Sequence, residues 1–376
     1  MLFRSIQQAL EANRTIAAAR LQRPVDVAGI GVARERPNPD LSYEYSKETP
    51  RQAFGATLPI ELGGKRQARL AVANATVAAS DAELARVIAE VRSDVRTTYF
   101  EVVGADQRVA FADEVRALAA RARDAARARV QAGDVPQSDL TQASLALANS
   151  EIEAAAARGD AASARAELNA LLGQPVGTPL TLADEMTGGA VPALNDAIAH
   201  ASQRNTEVAA LDKRIEAQVA RIALARANRT PDLTAGGAFT YDADPEFTFG
   251  WRLSGSITLP VFTSHRAAVA VEDAELARLK GEREALLVRM SGAIASAIAR
   301  ASSAREQLTR YQSDVLPLAL EAERQAQVAY SAGQTGLVAL VEALRTARET
   351  RQRGLQAAQD FQKALADLDR AMGMNR

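Results

Sequence analysis

Residues 247–261 read Phe247-Thr248-Phe249-Gly250-Trp251-Arg252-Leu253-Ser254-Gly255-Ser256-Ile257-Thr258-Leu259-Pro260-Val261. Successive side chains of a strand point to opposite faces, so this run sorts into two sets. One face carries Phe247, Phe249, Trp251, Leu253, Gly255, Ile257, Leu259 and Val261. The other carries Thr248, Gly250, Arg252, Ser254, Ser256 and Thr258. About ten residues that are apolar and aromatic on one side and Gly/Ser/Thr on the other form the pattern of a transmembrane β-strand. A water-soluble sheet packed against helices shares the alternation and is the commoner source of it.

Upstream, Leu233, Ala235, Gly237, Phe239 and Tyr241 alternate with Thr234, Gly236, Ala238 and Thr240. The short polar stretch Asp242-Ala243-Asp244-Pro245-Glu246 joins this strand to the first run. A second such hairpin lies near the start of the chain. There Leu41, Tyr43 and Tyr45 alternate with Ser42, Glu44 and Ser46, and Phe54, Ala56, Leu58, Ile60 and Leu62 with Gly55, Thr57, Pro59 and Glu61. Lys47-Glu48-Thr49-Pro50-Arg51 connects them. Windows 41–62 and 233–262 hold nine of the 16 aromatic residues, where about two are expected for their length. The hairpins are expected over about 40–62 and about 232–262.

The two hairpins belong to a tandem duplication. Residues 1–41 align without a gap on 193–233, with 14 identities in 41 positions. Discounting alanines, Leu2, Ile6 and Asn13 fall on Leu194, Ile198 and Asn205, and Pro39-Asp40-Leu41 falls on Pro231-Asp232-Leu233. Thr57-Leu58-Pro59-Ile60 matches Thr258-Leu259-Pro260-Val261, and Ala132-Gly133 with Leu140 matches Ala332-Gly333 with Leu340. The expected organisation is a first repeat over 1–192 and a second over 193–376. The Gly- and Pro-rich equatorial linker 173–192 ends the first.

Each repeat reads as helix, hairpin, long helix, turn, long helix. Residues 65–132 contain no proline and one interior glycine, Gly104. Leu70, Val77, Leu84 and Val91 recur every seven residues, and Val95, Val102 and Val109 resume that spacing after a step of four, a coiled-coil seam with a stutter. At 1.5 Å per residue such a helix reaches roughly 100 Å. Gly133-Asp134-Val135-Pro136 stops it, and 137–172 returns. The second repeat is expected to run out over 266–331, turn at Gly333-Gln334-Thr335-Gly336 and return over 337–373. Pro24 falls inside the first helix, which is expected to kink or break there.

Composition narrows the function. Lys and Arg number 45 against 46 Asp and Glu, a formal net charge of −1, without the basic excess of a nucleic-acid binder. There are no cysteines and two histidines, His200 and His265, which leaves no thiolate metal site, no Cys nucleophile and no multi-His centre. No phosphate loop or nucleophile motif occurs, so no catalytic residue, cofactor or metal site is expected and the chain is not expected to be an enzyme. No run of about 20 apolar residues marks a transmembrane helix. No secretory signal precedes the first helical pattern, so the chain is expected to be a mature or truncated form, or to have a misassigned start.

Two observations favour membrane strands over a soluble sheet. Four strands are too few to close a barrel, and the helices look committed to one another, leaving no covering layer. Two separate hairpins leave four open edges per chain, which lipid does not tolerate. Three copies pooling four strands each give an even-numbered 12-stranded barrel, and a cyclic trimer is a common closed symmetry. The expected object is a mostly α channel-tunnel with a small β part. The rival is a soluble coiled-coil scaffold or adaptor with two β-hairpins.

Pro37-Asn38-Pro39-Asp40-Leu41-Ser42 enters the first strand, and Leu58-Pro59-Ile60-Glu61-Leu62-Gly63-Gly64-Lys65-Arg66 leaves the second. Together with Tyr330-Ser331-Ala332-Gly333 and Leu340, these stretches resemble the TolC family of outer-membrane efflux proteins over essentially the whole chain, and most of all its CzcC-like, heavy-metal branch. The resemblance implies a homotrimer set in outer-membrane lipid, with antiparallel coiled-coil helices forming a tunnel through the periplasm. It implies a periplasmic adaptor (membrane fusion) protein and an inner-membrane pump of the resistance-nodulation-division type as partners. The function implied is a passive exit duct for substrates such as heavy-metal cations.

At the joint, Glu61, Leu62, Gly63, Gly64, Lys65 and Arg66 turn a strand into a helix. The glycines supply unusual dihedrals, and Lys65, Arg66 and Arg69 are expected near lipid headgroups, though an ordinary strand-to-helix loop accounts for the glycines equally well. By resemblance, Tyr330 corresponds to the tyrosine of the family's periplasmic closure, Asp139 to the acidic residue on the opposite hairpin and Glu342 to an inner acidic ring position. Ala339 stands where a second acidic ring residue is expected, which leaves a single ring. A ring of three Glu342 carboxylates would attract cations; an ordinary surface helix residue fits the position as well. Gly133, Asp134, Gly333 and Gln334 are candidates for adaptor contact, and equally plain turn residues.

Overall fold

The structure, a computed structural model, describes residues 2–182, 188–245, 247–260 and 262–373. Glu246 of the second hairpin turn, Val261 at the end of the fourth strand's alternation, and residues 183–187 of the linker lie outside the described residues.

In order, the elements are helices α1 (Leu2–Ala12), α2 (Arg14–Arg20) and α3 (Gln22–Arg34), strands β1 (Asp40–Tyr45) and β2 (Gln52–Ile60), and helices α4 (Lys65–Ala132) and α5 (Gln137–Leu171). The pattern then repeats with α6 (Leu194–Arg204), α7 (Thr206–Ala227), β3 (Leu233–Ala243), β4 (Phe247–Ile257), α8 (Arg266–Arg310), a π-turn (Tyr311–Val315), α9 (Leu316–Ser331) and α10 (Leu337–Met372). The chain forms two compact units, each drawn from both halves of the sequence. One comprises Met1–Ala17, Val87–Asn205 and Arg289–Arg376, the other Ala18–Arg86 and Thr206–Val288.

The second unit holds a single antiparallel sheet in the order β1-β2-β3-β4. Strand β2 pairs with β3 from Gln52↔Tyr241 to Ile60↔Leu233. This corrects the expectation of four open edges: the hairpins fuse, and only the outer edges of β1 and β4 remain open.

The first unit is helical. Its fully buried large side chains include Tyr99, Val95 and Val102 of α4, Leu168 of α5, Ile294 of α8 and Leu368 of α10. The seam residues Val91, Val95 and Val102 of this unit are buried and Val109 is half-buried, as are Leu70, Val77 and Leu84 on the part of α4 that belongs to the second unit. Gly104 has a steric reason: a Cβ there would lie 1.6 Å from Gln359 Nε2 on α10. Both repeats break their first helix at an asparagine. Asn13 Oδ1 accepts from the N–H groups of Thr15 (2.8 Å) and Ile16 (3.2 Å), and its Nδ2 donates to the Leu171 carbonyl (2.8 Å). Asn205 Nδ2 likewise donates to the Ala371 carbonyl (3.1 Å). Gly173 and Gly373, both at φ +67°, cap the return helices against these breaks, where a Cβ would meet Ala12 O at 2.3 Å and Asn205 Cα at 2.6 Å.

Pro24 sits in the first turn of α3, just after the interruption at Leu21, as expected. The outward helix of the second repeat is not continuous over 266–331. Pro317 removes a backbone donor and crowds the carbonyl four residues earlier, and the π-turn at Tyr311–Val315 absorbs the mismatch. That rod also contains one window long and apolar enough to cross a membrane by length and composition, and 28% of the window is buried.

Candidate functional site

The sheet is where the sequence pattern becomes a surface. Its register stacks Tyr43, Phe54, Phe239 and Trp251 in one row across all four strands. Tyr45, Gln52, Tyr241 and Phe249 form the next row on that face, and Leu41, Ala56, Gly237 and Leu253 the one before it. The rings touch: Tyr43–Phe54 centroids lie 4.8 Å apart, Tyr241–Phe249 5.3 Å and Phe239–Phe249 5.6 Å. Among the described residues nothing covers this face, where Leu41 is 84%, Trp251 69% and Leu253 76% exposed. A soluble sheet buries such a face; exposure of this many aromatic and aliphatic side chains in one patch calls for lipid or protein. The opposite face is Ser42, Gly55, Ala238 and Arg252 in one row, with Thr57, Gly236 and Ser254 beside it.

The joint below β2 is tightly organised. Gly63 and Gly64 both have φ +71°, and a Cβ on Gly63 would stand 2.4 Å from Thr230 Oγ1. Lys65 is buried, with Nζ 2.7 Å from Asp232 Oδ2, and the Leu62 N–H donates to Asp232 Oδ1 at 3.3 Å. The ammonium is therefore held by the carboxylate of Asp232, the residue before β3 in the second repeat. Arg66 donates to the Arg34 carbonyl (2.9 Å). Arg69 makes a two-pronged bond to Glu61 that holds its guanidinium above the ordinary value, and it also donates to the Glu35 carbonyl (3.2 Å). In the second repeat His265 takes the place of Gly64 at φ +53°.

At the helix turns the two repeats are built alike. The Gly133 N–H donates to Val130 O (3.0 Å) and the Asp134 N–H to Arg129 O (2.9 Å); Gly333 and Gln334 do the same to Tyr330 O (3.0 Å) and Ala329 O (2.9 Å). Each is a Schellman cap with its glycine in the left-handed region, φ +79° and +72°. All four residues are exposed.

Among the described residues no hydrogen bond or ion pair joins the gate candidates to one another within the chain. Tyr330 accepts a bond from Arg129 (3.0 Å), whose guanidinium also lies 5.6 Å from the ring centroid. Asp139 is in the first turn of α5, where the helix dipole favours a carboxylate, and its contact is Ser138 Oγ at 3.4 Å. Glu342 is exposed on α10. Arg129 was not singled out in the sequence; its only signal was a basic residue in the last turn of α4, near the tyrosine's turn. Among the described residues no cluster of three metal-ligating side chains exists.

A family model described as outer membrane efflux protein matches residues 5–174 and 197–374. The cobalt-zinc-cadmium resistance protein CzcC of Cupriavidus metallidurans is 28% identical over 374 residues, 98% of this chain and 89% of the relative. The solved Campylobacter jejuni CmeC outer membrane channel superposes with a TM-score of 0.83 at 16% identity, covering 100% of this chain and 87% of that one. The open state of the Neisseria gonorrhoeae MtrE outer membrane channel gives 0.80 at 19%, covering 100% and 90%. At such identities these structures speak for the fold.

Proposed function

The chain belongs to the outer membrane efflux protein family, and from that premise we propose that it is the passive exit duct of a tripartite efflux assembly. It is a channel protein, not an enzyme. Three copies pool their sheets into a 12-stranded barrel in the outer membrane, and the helices extend into the periplasm. A periplasmic adaptor and an inner-membrane pump of the resistance-nodulation-division type deliver the cargo. Heavy-metal cations are the cargo favoured by the cobalt-zinc-cadmium resistance relative.

One observation carries this reading. The sheet ends in two open edges, the outer sides of β1 and β4, beneath a continuous exposed aromatic face. An open edge in hydrocarbon leaves backbone groups unsatisfied at several kcal/mol each, so the edges must meet those of other copies. The joint residues Glu61 to Arg66 set the strand-to-helix turn at the membrane boundary. Glu342 and Tyr330 are the residues of the narrow end, and the exposed turns at Gly133-Asp134 and Gly333-Gln334 are where an adaptor docks.

The test is extraction and electrophoresis. The protein should leave the membrane only with detergent and run as a trimer unless heated, and a strain lacking it should lose tolerance to cobalt, zinc and cadmium. A monodisperse single copy in plain buffer overturns the duct; a trimer whose loss changes only sensitivity to organic compounds overturns the cargo.

A further inference from the structure

The second strand of each hairpin leaves the sheet on the same residues, Thr57-Leu58-Pro59 in the first repeat and Thr258-Leu259-Pro260 in the second. In the first repeat they are strand: Thr57, Leu58 and Pro59 pair with Gly236, Ala235 and Thr234 of β3. In the second, β4 ends at Ile257, and among the described residues no strand pairs with Leu259 or Pro260. One sequence thus joins a ladder where it has a neighbour and stops where the chain supplies none. The Thr258 N–H donates to the Asp232 carbonyl (3.3 Å), on the β3 side, so the N–H and C=O groups of Ile257 and Leu259 point away from the chain's own sheet. At the opposite edge the Ser46 N–H donates to the Arg51 carbonyl (2.9 Å), on the β2 side, so those of Tyr43 and Tyr45 point outward from β1. The side chains of all four residues are exposed.

The duplication fixes how these edges fit. Leu41 is equivalent to Leu233, and by the Thr-Leu-Pro match Ala56 is equivalent to Ile257. The pair Leu41↔Ala56 of the first hairpin thereby becomes Leu233↔Ile257, which is a pair of the second, so the two hairpins share one register. In the trimer proposed above, on which this inference rests, the contact of β2 with β3 is then the template for the contact of β4 with β1 of the next copy. The same equivalences turn Ala56↔Gly237 into Ile257↔Tyr45, Thr57↔Gly236 into Thr258↔Glu44, Leu58↔Ala235 into Leu259↔Tyr43 and Pro59↔Thr234 into Pro260↔Ser42. We propose that the copies join in this register, and that Thr258–Pro260 becomes strand only when β1 of the next copy lies on it. The register keeps the faces together: tyrosines meet Ile257 and Leu259 on the aromatic side, and Glu44 meets Thr258 on the polar side. It sets the outward backbone groups opposite one another and turns the missing donor of Pro260 away from the seam. The large pairs Tyr45–Ile257 and Tyr43–Leu259 stand where the seam inside the chain has Gly237–Ala56 and Ala235–Leu58. The rival register lays Leu41–Tyr45 on Ile257–Leu253, within the strands as the single chain forms them, and also keeps the faces; it leaves Leu259 and Pro260 without a partner.

Glu44 and Thr258 turn their backbone groups away from the seam, so they form a non-hydrogen-bonded pair with Cα atoms about 4.5 Å apart, within reach of a disulfide. The chain has no cysteine, so Glu44→Cys/Thr258→Cys carries the only two thiols, and within one chain they lie at opposite edges of the sheet. Outer membranes carrying this variant are oxidised, heated and run without reductant. Covalent dimers and trimers should hold most of the protein and collapse to monomer with reductant. Glu44→Cys/Ser254→Cys, the pair of the rival register, should run as monomer after heating, because four residues along β4 separate its thiols by about 13 Å. Ser42→Cys/Pro260→Cys repeats the test on the next pair if the first variant does not assemble. Cross-linking through Ser254, or a trimer in which neither the Glu44/Thr258 nor the Ser42/Pro260 variant cross-links, overturns the register and leaves the duct standing. Wild-type protein that forms no heat-labile trimer overturns the duct reading itself, a separate failure.

Discussion

At the two strand-to-helix joints the same left-handed turn is made by Gly64 in one repeat and His265 in the other. An L side chain in that region costs roughly 1–2 kcal/mol, and histidine is among the residues found there more often than most. His265→Gly is therefore expected to stabilise the protein by about 0.5–1 kcal/mol, the gain being trimmed by glycine's greater freedom in the unfolded chain. Gly64→Ala should cost about 1 kcal/mol, because no atom lies within 4 Å of the new methyl; Gly63→Ala should cost more, because Thr230 stands in its way. Thermal midpoints of detergent-solubilised protein give the ranking, and a destabilising His265→Gly would mean that the imidazole does something a turn does not require. The ion pair next door carries a second asymmetry. Asp232→Ala strands the Lys65 ammonium, whose side chain is 11% exposed; as Asp232 is itself 41% exposed, the cost is set at about 1–3 kcal/mol, below that of a fully buried pair. Lys65→Met should cost less, because it keeps the packed stem and leaves only a solvated carboxylate. Equal losses in the two variants would contradict the burial of the lysine.

Among the elements, the asparagine breaks are the clearest trace of the duplication. Asn13→Ala and Asn205→Ala should each cost about 1–2 kcal/mol, as each side chain bonds the last turn of a return helix and Asn13 also caps α2. A cost at one site only would mean that the two repeats no longer rely on the same joint. The bounds of α4, α5 and α10 were readable because glycine and proline punctuate them: Gly133 and Pro136 leave little freedom in where α4 ends and α5 begins. The π-turn has no sequence signature of its own: Pro317 is plain in the sequence, but a proline fixes neither the place nor the width of the break that accommodates it. Alternation assigns each strand its two faces but cannot say that β2 pairs with β3, since periodicity within a strand carries no information about a partner about 180 residues away. The Lys65–Asp232 pair escaped for the same reason: a lysine beside two glycines looks like a surface residue until the strand carrying its carboxylate is placed next to it.

For the molecule as a whole the decisive property is that the two sheet faces meet different media. A charge facing hydrocarbon costs about 2–4 kcal/mol near the bilayer midplane, whereas a charge facing the lumen costs almost nothing. The chain already carries Arg252 on the polar face directly beside Trp251 on the aromatic one. Trp251→Arg and Ser254→Arg therefore place the same side chain on opposite faces of one strand, with Ser254 and Arg252 on the same side. In a trimer the first substitution is incurred three times, a total of about 6–12 kcal/mol, enough to exhaust the stability of an ordinary fold. Trp251→Arg should abolish the heat-modifiable trimer, and Ser254→Arg should leave it in place while adding positive charge to the lumen. Both variants should retain the helical signal in circular dichroism, since the first unit contains neither position. If both lose the trimer to the same degree, the two faces see similar surroundings and the sheet does not divide lipid from water. If Trp251→Arg assembles normally, the aromatic face is not turned to lipid, and the barrel in the outer membrane falls with it.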